Sequence, residues 1–168
     1  MNKQCKYIII TAVIVYVIGT LQHFLYDLSG HNFLVGLFCP TNESTWEHMK
    51  LVFFPMFLCN IWLNNKLKST GVHPEGQLLM SSLIGTWLIP FLFYTYRGIL
   101  GFGISAADIA TFYISVILAY LFVWHTINSL WKKSCITALY ILCFIQLFAF
   151  ILFSYTDCRL GIFVPPVK

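Results

Sequence analysis

Apolar runs of roughly 20 residues, long enough at a helical rise of about 1.5 Å per residue to cross a hydrocarbon core, recur through the whole chain. Read as helices they cover about 7–28, 44–63, 77–96, 108–131 and 134–155, which leaves no room in 168 residues for a soluble domain. In a bilayer every backbone polar group has to be satisfied within the fold, so runs of this length can only be helices. The expected class is therefore all-α: a polytopic integral membrane protein of about five transmembrane helices, one domain over 1–168. Pro55 and Pro90 fall inside the second and third runs, and each removes a helical hydrogen bond, which predicts kinks near both. Composition agrees, with 59% hydrophobic and 10% charged residues, against about 25% charged in soluble domains.

Ten Lys and Arg against six Asp and Glu give a formal charge of +4. The positive residues sit in short clusters beside the apolar runs, which is a topology signal and not a nucleic-acid-binding patch. Nucleic acid is therefore excluded as a partner, membrane lipid is expected, and whether there is a protein partner is left open. Lys3, Lys6, Lys66, Lys68, Lys132 and Lys133 collect on one side, and Arg97, Arg159 and Lys168 on the other. Lys50, inside the second run, is left out of the comparison. The positive-inside rule then predicts a multi-pass protein of the cell membrane with a cytoplasmic N-terminus and an outer C-terminus. Lys3 and Lys6 before an apolar run resemble a signal sequence, but no A-x-A-like cleavage site follows, so the segment reads as an uncleaved first helix. The six cysteines have no C-x-x-C spacing and read mainly as small core residues. Cys39 and Cys158 both fall on the outer side, where a disulfide can form.

The chemistry is concentrated between Pro40 and Pro55, PTNESTWEHMKLVFFP, which holds Asn42, Glu43, Ser44, Glu47, His48 and Lys50. Ser44-Thr45-Trp46-Glu47 has the form of a capping box, with Ser44 receiving the Glu47 amide and Glu47 reaching back. On a helix, Glu43 with Glu47 and Ser44 with His48 are i, i+4 pairs on adjacent stripes. In the first run Tyr16, Thr20, His23 and Asp27 recur at helical spacing and predict one polar face turned toward other helices or a wet cavity. Asp108, Thr111, Ser115 and Ala119 form a similar face in the fourth run, with His125 further along. The short apolar piece 33–39 is too brief to span, so it is expected to be interfacial or re-entrant.

With the orientation above, His23 and Asp27 close the first run, Glu43 to His48 open the second, Arg97 ends the third and Asp108 begins the fourth. All then lie in one outer layer, with Arg97 as a counter-charge. His125 belongs to the inner side, about 25 Å along the helix from Asp108. Glu43, Glu47 and His48 are the catalytic candidates. His23, His48, Glu43 and Asp108 are candidate ligands for a divalent metal such as zinc, with a coordination position left for water. Alternatively, two close carboxylates raise one pKa and supply a proton donor beside His48. Each feature also has a structural account. Ser44 and Glu47 serve as helix caps, Glu47 pairs with Lys50 at i, i+3, and His23 with Asp27 clasps two helices. Three functions fit this pattern: metal-dependent hydrolysis or modification of lipid; a small proton-coupled transporter whose stripe Asp108, Thr111, Ser115 leads toward His125; and a structural or accessory subunit.

H-F-L-Y-D at His23 to Asp27 and N-E-S-T-W-E-H-M-K-L-V-F-F-P at Asn42 to Pro55 resemble a family of small bacterial multi-pass membrane proteins that carries a domain of unknown function. The turn Gly98-Ile99-Leu100-Gly101 and the later Asp108-Ile109 are similar to it as well. This resemblance implies the membrane class and the choice of residues, and no reaction. Ser44 to His48 is also similar to the S-x-x-x-H element of the membrane hydrolases that include the alkaline ceramidases. That likeness implies zinc and lipid amides, although the chain has no H-x-x-x-H and two spans fewer.

Overall fold

The computed structural model describes residues 2–156 and 158–166, so Lys168 of the charge comparison lies outside the described residues. Its elements in chain order are α1 (Lys3–Leu28), α2 (Phe33–Phe38), α3 (Thr45–Lys68), α4 (Glu75–Leu100), α5 (Ser105–Thr126), α6 (Lys133–Phe153) and a 3₁₀ turn at Gly161–Phe163. There is no strand among the described residues. Within the same residues four helices, α1, α4, α5 and α6, are long and apolar enough to cross a membrane, at 26, 26, 22 and 21 residues.

The remaining long helix, α3, has 24 residues and is the least apolar of the five, because it carries Glu47, Lys50, Lys66 and Lys68. It is the centre of the bundle, packing on α1, α4 and α5. Every residue from Thr45 to Met56 is buried except His48. A stretch of helix enclosed in this way has almost no outer face to keep apolar, so polar groups are tolerated there wherever they find partners, whereas the second half of α3 exposes Leu58, Ile61 and Trp62.

The long helices alternate in direction. Tyr7 of α1 packs edge-on to Trp62 of α3 at 6.4 Å, and Lys68 at the end of α3 lies 3.7 Å from Glu75 at the start of α4. At the opposite end Arg97 of α4 meets Asp108 of α5 at 2.9 Å, and Ser154, just past α6, meets Lys50 of α3 at 2.6 Å. The last turns of α1, α4 and α6 and the first turns of α3 and α5 therefore share one end of the bundle.

Pro55 and Pro90 lie inside helices that run on through them. Pro55 has no amide to give the Leu51 carbonyl one turn back. Gly19 of α1 packs against that carbonyl: a Cβ on Gly19 would come within 2.6 Å of the Leu51 oxygen and 2.7 Å of Phe112 Cζ. The glycine allows the two backbones to approach where the proline has interrupted the helix ladder. It also sets which face of α1 turns inward. The buried stripe is Ile8, Thr11, Val15, Gly19 and Gln22. The polar series Tyr16, Thr20, His23 and Asp27 is displaced by one position, with Thr20 and Asp27 exposed and Tyr16 and His23 half-buried. Close approach at Gly19 outweighs polarity in choosing the inward face.

Deeper in the bundle, Asn60 of α3 donates to Leu78 O at 3.0 Å and to Ser82 Oγ at 2.9 Å, and accepts from the Tyr120 hydroxyl at 3.1 Å. This clasp joins α3, α4 and α5. Helix α5 stops at Thr126, short of Trp131. Gln77 of α4 donates to the Thr126 and Ser129 carbonyls at 2.9 and 2.6 Å, satisfying acceptors that a continued helix would have used.

Candidate functional site

Ser44 is the N-cap of α3, and its Oγ accepts the Glu47 amide at 3.3 Å. The reciprocal arm of the capping box does not form. The Ser44 amide donates instead to Asn42 Oδ1 at 2.8 Å. The Glu47 carboxylate accepts the Thr41 amide at 2.8 Å, the Thr41 hydroxyl at 3.1 Å and the Lys50 ammonium at 2.7 Å. Lys50 has no exposed surface and Glu47 is 2% exposed. A charge so enclosed requires a counter-charge, and that requirement takes Glu47 away from the cap. Lys50 Nζ also donates to Gly36 O at 3.0 Å and Ser154 Oγ at 2.6 Å, with Cys39 O at 3.4 Å.

His48 is the one residue of this buried stretch that reaches the surface. Its Nδ1 lies 2.9 Å from the Ser44 carbonyl oxygen. A carbonyl only accepts, so Nδ1 carries the proton and donates, leaving Nε2 to face outward. Nε2 is 3.4 Å from Glu43 Oε2. His23, near the end of α1, brings its own Nε2 to 3.9 Å from the same oxygen. The two imidazoles lie 5.2 Å apart. One ligand atom from each of His23, Glu43 and His48 lies within 4.8 Å of the other two. Side-chain exposure is 33% and 29% for the histidines and 69% for Glu43, so the group opens to the outside of the fold.

This donor set suits a divalent ion of intermediate softness. Two imidazole nitrogens and a carboxylate oxygen at about 2.0–2.2 Å from a tetrahedral zinc lie about 3.3 Å from one another, leaving a fourth position for water or substrate. The separations of 3.4 and 3.9 Å come close to that spacing. The carbonyl bond at His48 Nδ1 is of the kind that would orient the ring if Nε2 bound a metal.

The other candidate residues lie elsewhere. Glu43 precedes the N-cap, so it is not on the helix and does not share a stripe with Glu47; one is exposed and the other buried. Asp27 pairs with His31 at 3.6 Å on the exposed end of α1. Asp108 pairs with Arg97 and accepts from the Tyr96 hydroxyl, and the Arg97 guanidinium stacks over Phe93 at 4.3 Å. Arg97 is thus the counter-charge of Asp108, and Asp108 is not part of the gathered group of His23, Glu43 and His48. Asn42 and Ser44 are occupied at the helix start. Thr111 and Ser115 are buried and donate to the carbonyls of Asp108 and Thr111 in their own helix, while His125 is exposed near the other end of α5. Cys39 and Cys158 are free thiols, so the disulfide considered for them is absent.

Sequence reasoning overlooked Thr41 and Gly36, which take the second halves of the Glu47 and Lys50 bonds. Their signal was indirect: an enclosed E-x-x-K pair has more hydrogen-bonding capacity than it can satisfy by itself.

Comparison with known proteins yields one family. The profile described as "Family of unknown function (DUF6512)" matches residues 1–168, and the chain belongs to that family. No curated protein and no solved structure matches it.

Proposed function

Since family membership carries no reaction, function has to be argued from the site, and we propose that His23, Glu43 and His48 hold a divalent metal, zinc above others, in a hydrolase acting on acyl lipids at the membrane boundary. The observation that carries this reading is the meeting of three ligand atoms from separate segments within 4.8 Å. The Ser44 carbonyl supports it by engaging His48 Nδ1, so that Nε2 is the ring nitrogen turned toward Glu43 and the position a metal would take.

The lipid part of the reading rests on the surroundings. Phe24 packs beside His23 at 5.2 Å between ring centres, and Leu21, Phe24 and Leu28 of α1 are 59%, 55% and 79% exposed. The open side of the group therefore adjoins the apolar face of a membrane-length helix. An amphiphile meets such a boundary with its tail on the apolar face and its first polar bonds at the ligands. A divalent metal there supplies Lewis acidity toward an acyl carbonyl and lowers the pKa of water. Hydrolysis adds water across the acyl bond, hydroxide to the carbonyl carbon and a proton to the departing amine or alcohol, and needs no oxidant or reductant.

The test is metal content and turnover on the full chain in detergent. After equilibration with zinc and removal of excess, elemental analysis is expected to find about one zinc per chain, lost in His23→Ala and in His48→Ala while helical content is kept. Release of fatty acid from vesicles of phospholipid and ceramide is expected to stop on chelation and to return with zinc. A wild-type chain without stoichiometric metal, or a His48→Ala chain that keeps it, overturns the reading.

A further inference from the structure

We propose that Lys50 and Glu47, whose side chains bond to neither histidine, are positioning residues for the metal group: their buried ion pair anchors the segment 36–43 to α3 and so sets the reach of Glu43. This inference rests on the reading of His23, Glu43 and His48 as a metal group.

His23 and His48 are carried on long helices, whereas Glu43 comes from the irregular connection between α2 and α3. That connection is held on both sides of Pro40. Before it, the Gly36 carbonyl accepts from Lys50 Nζ at 3.0 Å, with the Cys39 carbonyl at 3.4 Å. After it, Thr41 donates through its amide and its hydroxyl to Glu47 at 2.8 and 3.1 Å. The Lys50–Glu47 contact of 2.7 Å joins the two halves. Ser154 ties the same ammonium to the end of α6 at 2.6 Å.

Enclosing two charges is no efficient way to gain stability, since apolar residues of the same volume commonly do as well or better. What an enclosed pair with several directed bonds supplies is a single geometry. A metal group needs one, because ligand distances are tolerated to about 0.2 Å. Gly36 fits the same account. A Cβ there would meet the Tyr155 hydroxyl and, at 2.8 Å, Thr41 Cγ2 and Tyr26 Cε2, so a side chain would disturb the packing that seats the Gly36 carbonyl on Lys50.

The test uses Glu47→Gln combined with Lys50→Met, which removes both charges together and leaves none buried alone. Cobalt(II) binding to the full chain in detergent is expected to weaken about 10–100-fold, the effect typical of lost outer-shell support. The cobalt absorption bands are expected to shift, and hydrogen exchange over 36–44 to accelerate, with helical content unchanged. A purely structural role would lower the unfolding temperature and leave the affinity and spectrum of the folded chain as they were. Gly36→Ala, which keeps both charges, gives a second measurement of the same quantity should the double variant fail to fold. Cobalt bound equally by wild type and variants overturns this inference alone. No cobalt on the wild type overturns the metal reading and this one with it.

Discussion

Gly19→Ala offers a direct measure of the contact between α1 and α3. In an unobstructed helix the added methyl stabilises by about 1 kcal/mol through propensity. At Gly19 it would sit 2.6 Å from the Leu51 carbonyl oxygen and 2.7 and 2.9 Å from two Phe112 ring atoms. The ring has some freedom to move, but the carbonyl belongs to the backbone of the most enclosed helix. Overpacking of this kind costs about 1–3 kcal/mol, and the close contact with a backbone atom places it toward the upper part of that range. The net expectation is a loss of about 1–2 kcal/mol. Gly98, in α4, is the internal control, since a Cβ there meets nothing within 4 Å. Gly98→Ala is expected to gain up to about 0.5–1 kcal/mol. Denaturant unfolding of both variants in the same mixed micelles reads the difference. Gly19→Ala at least as stable as Gly98→Ala would refute the close backbone approach at Pro55.

Lys50→Met alone leaves Glu47 enclosed with its charge uncompensated, so it is expected to cost about 3–5 kcal/mol, most of it restored by adding Glu47→Gln. Thermal unfolding of the single and double variants measures this, and equal stability of the two would rule out a charged pair in the folded chain. Tyr120→Phe removes the hydroxyl that donates to Asn60 Oδ1 at 3.1 Å. Leaving that acceptor unpaired in the core is expected to cost about 1–2 kcal/mol, and a loss below about 0.3 kcal/mol in denaturant unfolding would show that the clasp does not hold.

The helices were legible because their signal is local. An apolar run of about 20 residues has few alternatives to a helix, whatever its neighbours. The start of α3 was legible for a similar reason, since Ser44 acts on an amide three residues away. Burial was read less well. Polarity singled out Tyr16, Thr20, His23 and Asp27 as the face of α1 to be covered, yet contact with α3 covers the series through Val15, Gly19 and Gln22. Among the site residues, Glu43 and His48 were expected together on the strength of spacing, and they do meet, though Glu43 arrives from a loop and not from a helix stripe. Glu47 shows where spacing stops being informative. Its i, i+3 and i, i+4 spacings place Lys50 and Glu43 equally near on an ideal helix, but Glu43 lies before the helix and the cost of burying Lys50 unpaired fixes the partner.

For this chain, sequence alone determined the class, the approximate helices, the cap at Ser44 and the clustering of reactive side chains around it, because each follows from short-range sterics or from transfer of apolar surface out of water. Tertiary structure alone decided which of those side chains meet. His23 and His48 are far apart in sequence, and their rings come within 5.2 Å because Gly19 lets α1 close on α3. Asp108 is held by Arg97 and Glu47 by Lys50, so His23, Glu43 and His48 are left as the gathered group from a longer set of candidates. The physical reason is that pairing between charges depends on distance and desolvation, and both are set only when the helices have packed.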